Sequence, residues 1–289
     1  MKILLTGAQG FLGRHLLPEL LKRCDVRCLV RKDFVYQHPR LEICVGDVTD
    51  ESMVKRCMRG VDAVVHAAAL LHSTAQETFA VNVEGTRHLV RAAKKHRVKH
   101  FIFISTENVL YDYCQDPYTR SKREAEHLVE TLRASTILRP SIIYGKDDDK
   151  YLSYLISFVK RSPLVPVLGD GENLLQPVYV DDVVTCVLHA LTLPVRGTYT
   201  VCGPQPYSYN DLIRFIADFY GVKRLILHFP LWLLKPLVTL YEHLVRMPKI
   251  TSSSLAYFRY DRAHDVNALR RTFRYTPLDF PDALRHLAR

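Results

Sequence analysis

A short apolar run from Ile3 passes directly into Thr6-Gly7-Ala8-Gln9-Gly10-Phe11-Leu12-Gly13, and an amphipathic stretch follows at once. Three glycines at this spacing, between a strand-like and a helix-like segment, restrict the fold severely. They allow a tight turn, a close backbone approach to a pyrophosphate, and a helix laid closely against its strand. A helix that starts there turns free N–H groups and its positive dipole end toward an anion. Gly7, Gln9, Gly10, Phe11, Leu12 and Gly13 are therefore expected to cradle a dinucleotide, because the motif stands where such a cradle must stand.

Beyond the loop, β-branched runs alternate with amphipathic stretches. Ile3–Thr6, Val26–Val30, Leu41–Val45, Ala63–His66, Phe101–Ser105 and Thr136–Leu138 read as buried strands. Helices are expected from about Gly10 to Lys22, Glu51 to Arg59, Val81 to Lys95 and Pro117 to Arg133, with Asp50 and Asp116 as N-caps. This alternation predicts an α/β chain with a doubly wound parallel sheet covered on both faces. After Tyr144-Gly145 the segments become irregular and proline-punctuated. A strand at Pro177–Asp182 leads into a helix reaching Leu193, and from Pro204 the pattern is mostly helical. Residues 1–145 with about 176–202 are read as the nucleotide-binding domain. Residues from about 146 to 175 and 203 to 289 are read as a smaller, mostly helical substrate-binding cap.

With 289 residues, 48% apolar and 24% charged, the composition is that of a soluble globular protein. No apolar run reaches the ~20 residues of a spanning helix. A strand beginning at Met1 leaves no room for a signal peptide. The seven cysteines are scattered without ligand-like spacing, which predicts reduced thiols, a cytoplasmic setting and no metal site. Forty basic against thirty acidic side chains give a net charge of +10. No nucleic-acid motif accompanies that charge, so a solvated basic surface is expected and nucleic acid is not a predicted partner.

The second strand ends Leu29-Val30-Arg31-Lys32. A carboxylate there would bond a ribose 2′-hydroxyl, whereas Arg31, helped by Lys32, suits a 2′-phosphate; NADP is preferred over NAD. Asp47 and Val48, after the third strand, are placed to meet an adenine edge.

Tyr118 and Lys122 are four residues apart on one face of the helix opened by Pro117. An ammonium beside a phenol favours the phenolate and makes it a usable acid or base near neutral pH. Ser105 and Thr106 end a strand, and ligands in open α/β sheets sit at strand carboxyl ends, so their hydroxyls are expected to converge with Tyr118.

Taken together, TGAQGFLG at 6–13, GDVTD at 46–50, HAAA at 66–69, VNVEGT at 81–86, FISTENV at 103–109, YTRSK at 118–122, RPSIIYG at 139–145 and QPVYVDDV at 176–183 resemble the extended short-chain dehydrogenase/reductase family, the NAD(P)-dependent epimerase/dehydratase group. The motifs fall in family order over roughly two thirds of the chain. The resemblance implies a Rossmann-like domain and a Ser/Thr-Tyr-Lys catalytic set. Tyr118 would be the acid/base and Lys122 would bind the nicotinamide ribose and tune Tyr118. Thr106, with Ser105 as runner-up, would hold the reacting oxygen. Asn82 would order the active-site region, Ala67, Ala68 and Ala69 would line the cofactor, and Pro140 and Ile142 would lie along it. His66 is expected to be a buried structural histidine. The tail departs from the pattern, with Phe273-Arg274-Tyr275 and no Arg-Pro-Gly clamp, which speaks against a nucleotide sugar.

The apolar piece from Phe229 to Val245, with Lys235, His243, Arg246 and Lys249 interspersed, has three readings. It packs the cap and roofs an apolar pocket, forms a homodimer surface, or makes a peripheral membrane contact. It also resembles the caps of the 3β-hydroxysteroid dehydrogenase-like and complex I accessory-subunit branches. The expected activity is hydride transfer at an alcohol or ketone carbon of a small-molecule substrate, a nucleotide sugar or a sterol-like compound. The alternative is an assembly or binding protein that keeps NADPH as a structural ligand.

Overall fold

Near-continuous apolar runs in the strands and period-3.6 stripes in the helices give this chain two apolar faces per central strand and one per helix, which only a covered sheet can satisfy. A computed structural model describes all residues except Asp33, His72, 149–150, Pro194, 246–254, 256–257 and 288–289, and leaves aside the side chains of Tyr151, Glu242 and His243. Arg246 and Lys249, noted in the apolar piece, lie outside the described residues, as does the side chain of His243.

The first half runs β1 (Lys2–Thr6), α1 (Phe11–Leu21), β2 (Asp25–Val30), β3 (Leu41–Val45), α2 (Glu51–Cys57), β4 (Ala63–His66), α3 (Ala75–Phe79), a π-helical turn at Ala80–Glu84, α4 (Gly85–His96), β5 (His100–Ile104), α5 (Pro117–Glu130) and β6 (Ser135–Pro140). The second half runs β7 (Ile143–Tyr144), α6 (Tyr151–Arg161), β8 (Leu164–Leu168), β9 (Leu174–Leu175), β10 (Val178–Tyr179), α7 (Val180–Thr192), β11 (Gly197–Val201), β12 (Tyr207–Ser208), α8 (Tyr209–Phe219), β13 (Leu225–Phe229), α9 (Leu231–Leu244), α10 (Asn267–Phe273) and α11 (Phe280–Leu287).

Seven strands form a parallel sheet in the order β11-β6-β5-β4-β1-β2-β3. Successive residues serve opposite faces: Ile102 and Ile104 join the core under α1 and α7, and Phe101 and Phe103 join the core under α2, α4 and α5. The sequence order reverses between β1 and β4, which opens a crevice at their carboxyl ends. A third core gathers Tyr144, α6, β8, α8 and α11, whereas Leu269 and Phe273 of α10 pack back beneath the sheet with α7. No helix among the described residues is long and apolar enough to cross a membrane.

The caps form as the spacing predicts. Asp50 accepts from the backbone N–H of Ser52 and Met53, and Asp116 accepts from that of Thr119 with Pro117 opening the helix. Three details differ from the sequence reading. Leu41–Val45 is the outer strand of the sheet and only partly covered, with Val45 48% exposed. The helix expected from Val81 to Lys95 instead begins at Ala75 and carries the π-helical turn before Gly85. The helix expected from Asp182 starts at Val180, and the region after Pro204 includes a strand, β13, that pairs in parallel with β8.

Candidate functional site

The site is built around the crevice between β1 and β4. Gly7 holds φ +79°, and a Cβ there would stand 2.6 Å from the carbonyl carbon of Ala67 and the nitrogen of Ala68. A Cβ on Gly13 would stand 2.0 Å from the Gly7 carbonyl oxygen. Both glycines are thus required by close approach, and they press the head of α1 against the loop after β4. The Gly10 N–H closes the turn onto Gly7 O at 3.0 Å, and Gly10 caps α1 without a side chain. The first N–H groups of α1 therefore point outward without intrahelical partners. Gln9 ties this loop to the end of β2 through Nε2 to Lys32 O at 2.9 Å. Beside it Arg31 and Lys32 are exposed. A Gly13→Ala substitution is expected to push α1 off β1, lowering Tm by about 4–10 °C and weakening NADPH binding at least ~tenfold, measured by thermal melt and cofactor titration.

Behind the glycine loop lies a buried polar chain. The Ala68 N–H donates to Thr6 Oγ1 at 3.3 Å, and Thr6 Oγ1 lies 2.7 Å from His66 Nδ1. His66 Nε2 lies 2.9 Å from Thr86 Oγ1, whose hydroxyl donates to Asn82 O at 2.5 Å. The chain is consistent with one polarity, in which Thr6 donates to Nδ1 and Nε2–H donates to Thr86. His66 is fully buried, and burial pulls its pKa down to about 3, with the charge of Lys122 adding to the effect. It is a neutral structural histidine that locks the end of β4 to the π-helical turn. Asn82, on that turn, uses both ends of its amide: Oδ1 accepts from Leu70 N at 2.7 Å, and Nδ2 donates to Leu70 O and Ser121 Oγ at 3.0 and 2.9 Å. Ser121 in turn donates to Tyr118 O at 2.7 Å. The loop 67–70 and the head of α5 are thereby held to one another.

α5 carries Tyr118 and Lys122, the pair that the sequence pattern expects to act together. Tyr118 is half-buried on its first turn, and Lys122 follows one turn later on the same face. Lys122 is 2% exposed; its Nζ donates to Ile104 O at 2.5 Å and lies 4.1 Å from the centre of the Phe103 ring. Burial lowers its pKa to about 7, against a smaller opposing pull from the carboxylate of Glu126. At the end of β5, Ser105 is buried and its hydroxyl has no hydrogen-bond partner among the described residues. Thr106 Oγ1 accepts from Asn108 N at 3.3 Å, so its own proton stays available. Val48 is buried and packs where a Cβ on Gly85 would stand, and Asp47 accepts from Thr49 through a short turn. Pro140 is buried and Ile142 half-buried at the end of β6, the strand beside β5.

These residues fit a pyridine dinucleotide. The glycine turn brings the head of α1 and its open N–H groups to the strand ends, the buried ammonium stands one turn from a phenol, and Ser105 supplies a buried hydroxyl with no partner among the described residues.

One cluster escaped the sequence reading. Glu107, buried just after Thr106, lies 3.3 Å from Arg262 Nη1 and 2.5 Å from His264 Nε2. His264 donates its backbone N–H to Gln176 Oε1 at 2.7 Å, and Gln176 Nε2 donates to Gly203 O at 2.7 Å. From the other side, Arg123 of α5 donates to Val109 O and Tyr111 O. The loop bearing Ser105 and Thr106 is thus clamped by both α5 and the tail. The one local signal was an acidic residue inside an otherwise apolar and hydroxyl-bearing stretch.

Comparison with known proteins bears on the family and the fold. The profile of the NAD dependent epimerase/dehydratase family matches residues 3–202. A ceramide reductase of Caulobacter vibrioides (strain NA1000 / CB15N) is 30% identical over 79% of this chain and 73% of its own length. A 3beta-hydroxysteroid-dehydrogenase/decarboxylase of Arabidopsis thaliana, isoform 2, is 23% identical over 94% of this chain, which spans only 58% of that relative. In architecture, the UDP-glucose 4-epimerase of Thermotoga maritima superposes with a TM-score of 0.79 over 99% of this chain and 97% of that one, at 20% identity.

Proposed function

The chain belongs to the NAD dependent epimerase/dehydratase family, and on that premise we propose that it is an NAD(P)-dependent oxidoreductase acting at an alcohol or ketone carbon of a lipid-like substrate. The buried Lys122 on the Tyr118 helix carries this reading. A lysine ammonium costs several kcal/mol to desolvate, so a structure that places one at the end of a central strand without a carboxylate in direct contact keeps it for a task.

The cofactor, when bound, gives or takes a hydride at its nicotinamide ring. Gly7 to Gly13 and the open N–H groups of α1 hold its diphosphate. Ala67 to Ala69 present small side chains and backbone beside it. Lys122 holds the nicotinamide ribose and places positive charge one helical turn from the Tyr118 phenol, which favours the phenolate after proton loss. Tyr118 passes its proton to the reacting oxygen in reduction and receives one in oxidation. The Thr106 hydroxyl, backed by Ser105, orients that oxygen, and Asn82 acts only by holding the loop 67–70 and α5 in register.

A lipid-like substrate is supported by the names of the two relatives, a ceramide reductase and a hydroxysteroid dehydrogenase. It is supported also by the absence of an Arg-Pro-Gly sequence in the tail. The deciding experiment titrates the purified protein with NADPH and NADH and then screens long-chain ketones, sterol ketones and nucleotide sugars for cofactor oxidation. Tight cofactor binding with no turnover on any of them would replace the enzyme by an assembly protein with a structural dinucleotide. Turnover of nucleotide sugars alone would correct the substrate class.

The preference for NADP rests on Arg31 and Lys32 at the end of β2. Arg31→Asp is expected to raise Kd for NADPH by about tenfold to a hundredfold, as loss of a charge-assisted bond does, while NADH binds no worse. Equal affinities of the unaltered protein for the two cofactors would retire the preference.

A further inference from the structure

The C-terminal region keeps large apolar side chains in solvent on two adjoining elements. β8 and β13 pair in parallel with Leu164 opposite Leu225, Pro166 opposite Leu227 and Leu168 opposite Phe229. The alternate residues Val165 and Val167 are buried in the core, so the paired row faces outward. Leu225 is 57% exposed and Phe229 38%. Pro230 then turns the chain into α9. There Trp232 is 75% exposed, and Leu233, Leu237, Leu240 and Leu244 continue at helical spacing along one open stripe. The sequence reading that this piece packs the interior of the cap does not hold for these side chains.

Basic side chains gather at two ends of this face. Lys160 and Arg161 end α6, and Lys223 and Arg224 precede β13. Arg224 donates to the carbonyls of Val159 and Lys160, which fixes the four cations at the end of the ribbon that begins with Leu164 and Leu225. Lys235 stands at the other end, one turn into α9. Neither 151–168 nor 220–241 contains an Asp or Glu.

We propose that this face docks on the headgroup layer of an anionic lipid membrane, with the α9 stripe and the β8–β13 row seated in the interface and the cations on the lipid phosphates. An exposed tryptophan beside leucines and lysines is the chemistry of an interfacial segment. α9 has 14 residues, about 21 Å long, and contains Pro236, so it lies in the plane of the surface and does not span it. A second copy of the chain fits less well, because a two-fold contact would bring five cations against five. The proposal is independent of the catalytic reading, since none of these side chains belongs to the proposed cofactor cradle or the catalytic set.

Flotation of the full chain with vesicles tests it. The protein is expected to float with vesicles of phosphatidylcholine and phosphatidylglycerol, less with phosphatidylcholine alone, and less as salt rises. The doubly altered Trp232→Ser/Leu237→Ser protein separates specific docking from general attraction of a basic protein. It is expected to lose at least ~tenfold in partitioning with Tm and NADPH affinity unchanged. Lys160→Gln with Lys223→Gln is expected to lose about fivefold per cation. The proposal is overturned if the unaltered protein stays with the pellet at low salt, or if both variants float as it does. It is overturned also if the lipid-free protein sediments as a dimer that Trp232→Ser/Leu237→Ser dissociates, which would assign the face to self-association.

Discussion

Replacing Tyr118 by phenylalanine is expected to lower kcat by about a thousandfold, while Kd for NADPH stays within about twofold. The asymmetry follows from what the substitution removes. Phenylalanine keeps the ring, so α5 still opens at Pro117 and Ser121 still donates to the backbone carbonyl of residue 118. Only the phenolic hydroxyl is lost, and on the proposed mechanism its proton is used only while the substrate oxygen changes charge. The cradle at Gly7 to Gly13 lies in the turn after β1 and the head of α1 and does not depend on residue 118. Single-turnover kinetics with prebound NADPH reads the chemical step, and fluorescence titration reads the cofactor. Turnover equal to that of the unaltered protein would remove Tyr118 from the mechanism.

Lys122→Met is expected to have opposite effects on activity and stability. Turnover should fall at least ~hundredfold, because the ammonium beside Tyr118 is gone. Stability of the cofactor-free protein near neutral pH should rise. Burial depresses the folded pKa of Lys122 to about 7 from its ordinary value of 10.5. Between those values the unfolded chain binds a proton that the folded chain has released, so stability climbs as pH rises through this window. Below about pH 7 both states are protonated and the full cost of the buried ammonium is present. It amounts to about 5 kcal/mol by the linkage relation. Denaturant unfolding from pH 6 to 10 should show the unaltered protein gaining stability relative to Lys122→Met across that range, since the other titrating groups are common to both. Parallel curves would show that the buried amine is not titrating there. His66 acts in a separate window. With its folded pKa near 3, its neutral state stabilises the fold above its unfolded value of 6.5, and that contribution is lost as pH falls toward 3.

The parts of the site that depend on close spacing were readable in the chain. Three glycines in seven residues need no distant partner to explain them, and Tyr118 with Lys122 requires only a helix. Six strands of the sheet are readable for a similar reason, because each declares itself as an apolar run, whereas the edge strand β11, Gly197–Val201, carries too few apolar residues to do so. Residues joined across long separations were not readable. Glu107 meets Arg262 and His264 over 155 and 157 positions, and no periodicity links such charges in advance. The π-helical turn at Asn82 was also hidden, since one extra residue in a helix leaves its hydrophobic pattern almost unchanged. For the stretch after Phe229 the sequence leaves inward packing, a dimer surface and a membrane contact side by side; apolar residues are ordinarily taken inward, whereas here Trp232 and Leu237 face solvent. Periodicity shows that a helix has an apolar side but not what covers it.

The clamp on Glu107 has a consequence for how the protein comes into being. A buried carboxylate left without its partners is costly, and those partners stand at positions 262 and 264, far along the chain. During synthesis the sheet from β1 to β6 can assemble early, yet the loop bearing Ser105 and Thr106 stays unset until residues 262–264 fold back onto it. A nascent chain that stops short of His264 would then hold the sheet with this loop unanchored. Order at the strand end is thus acquired late, from a distant part of the chain.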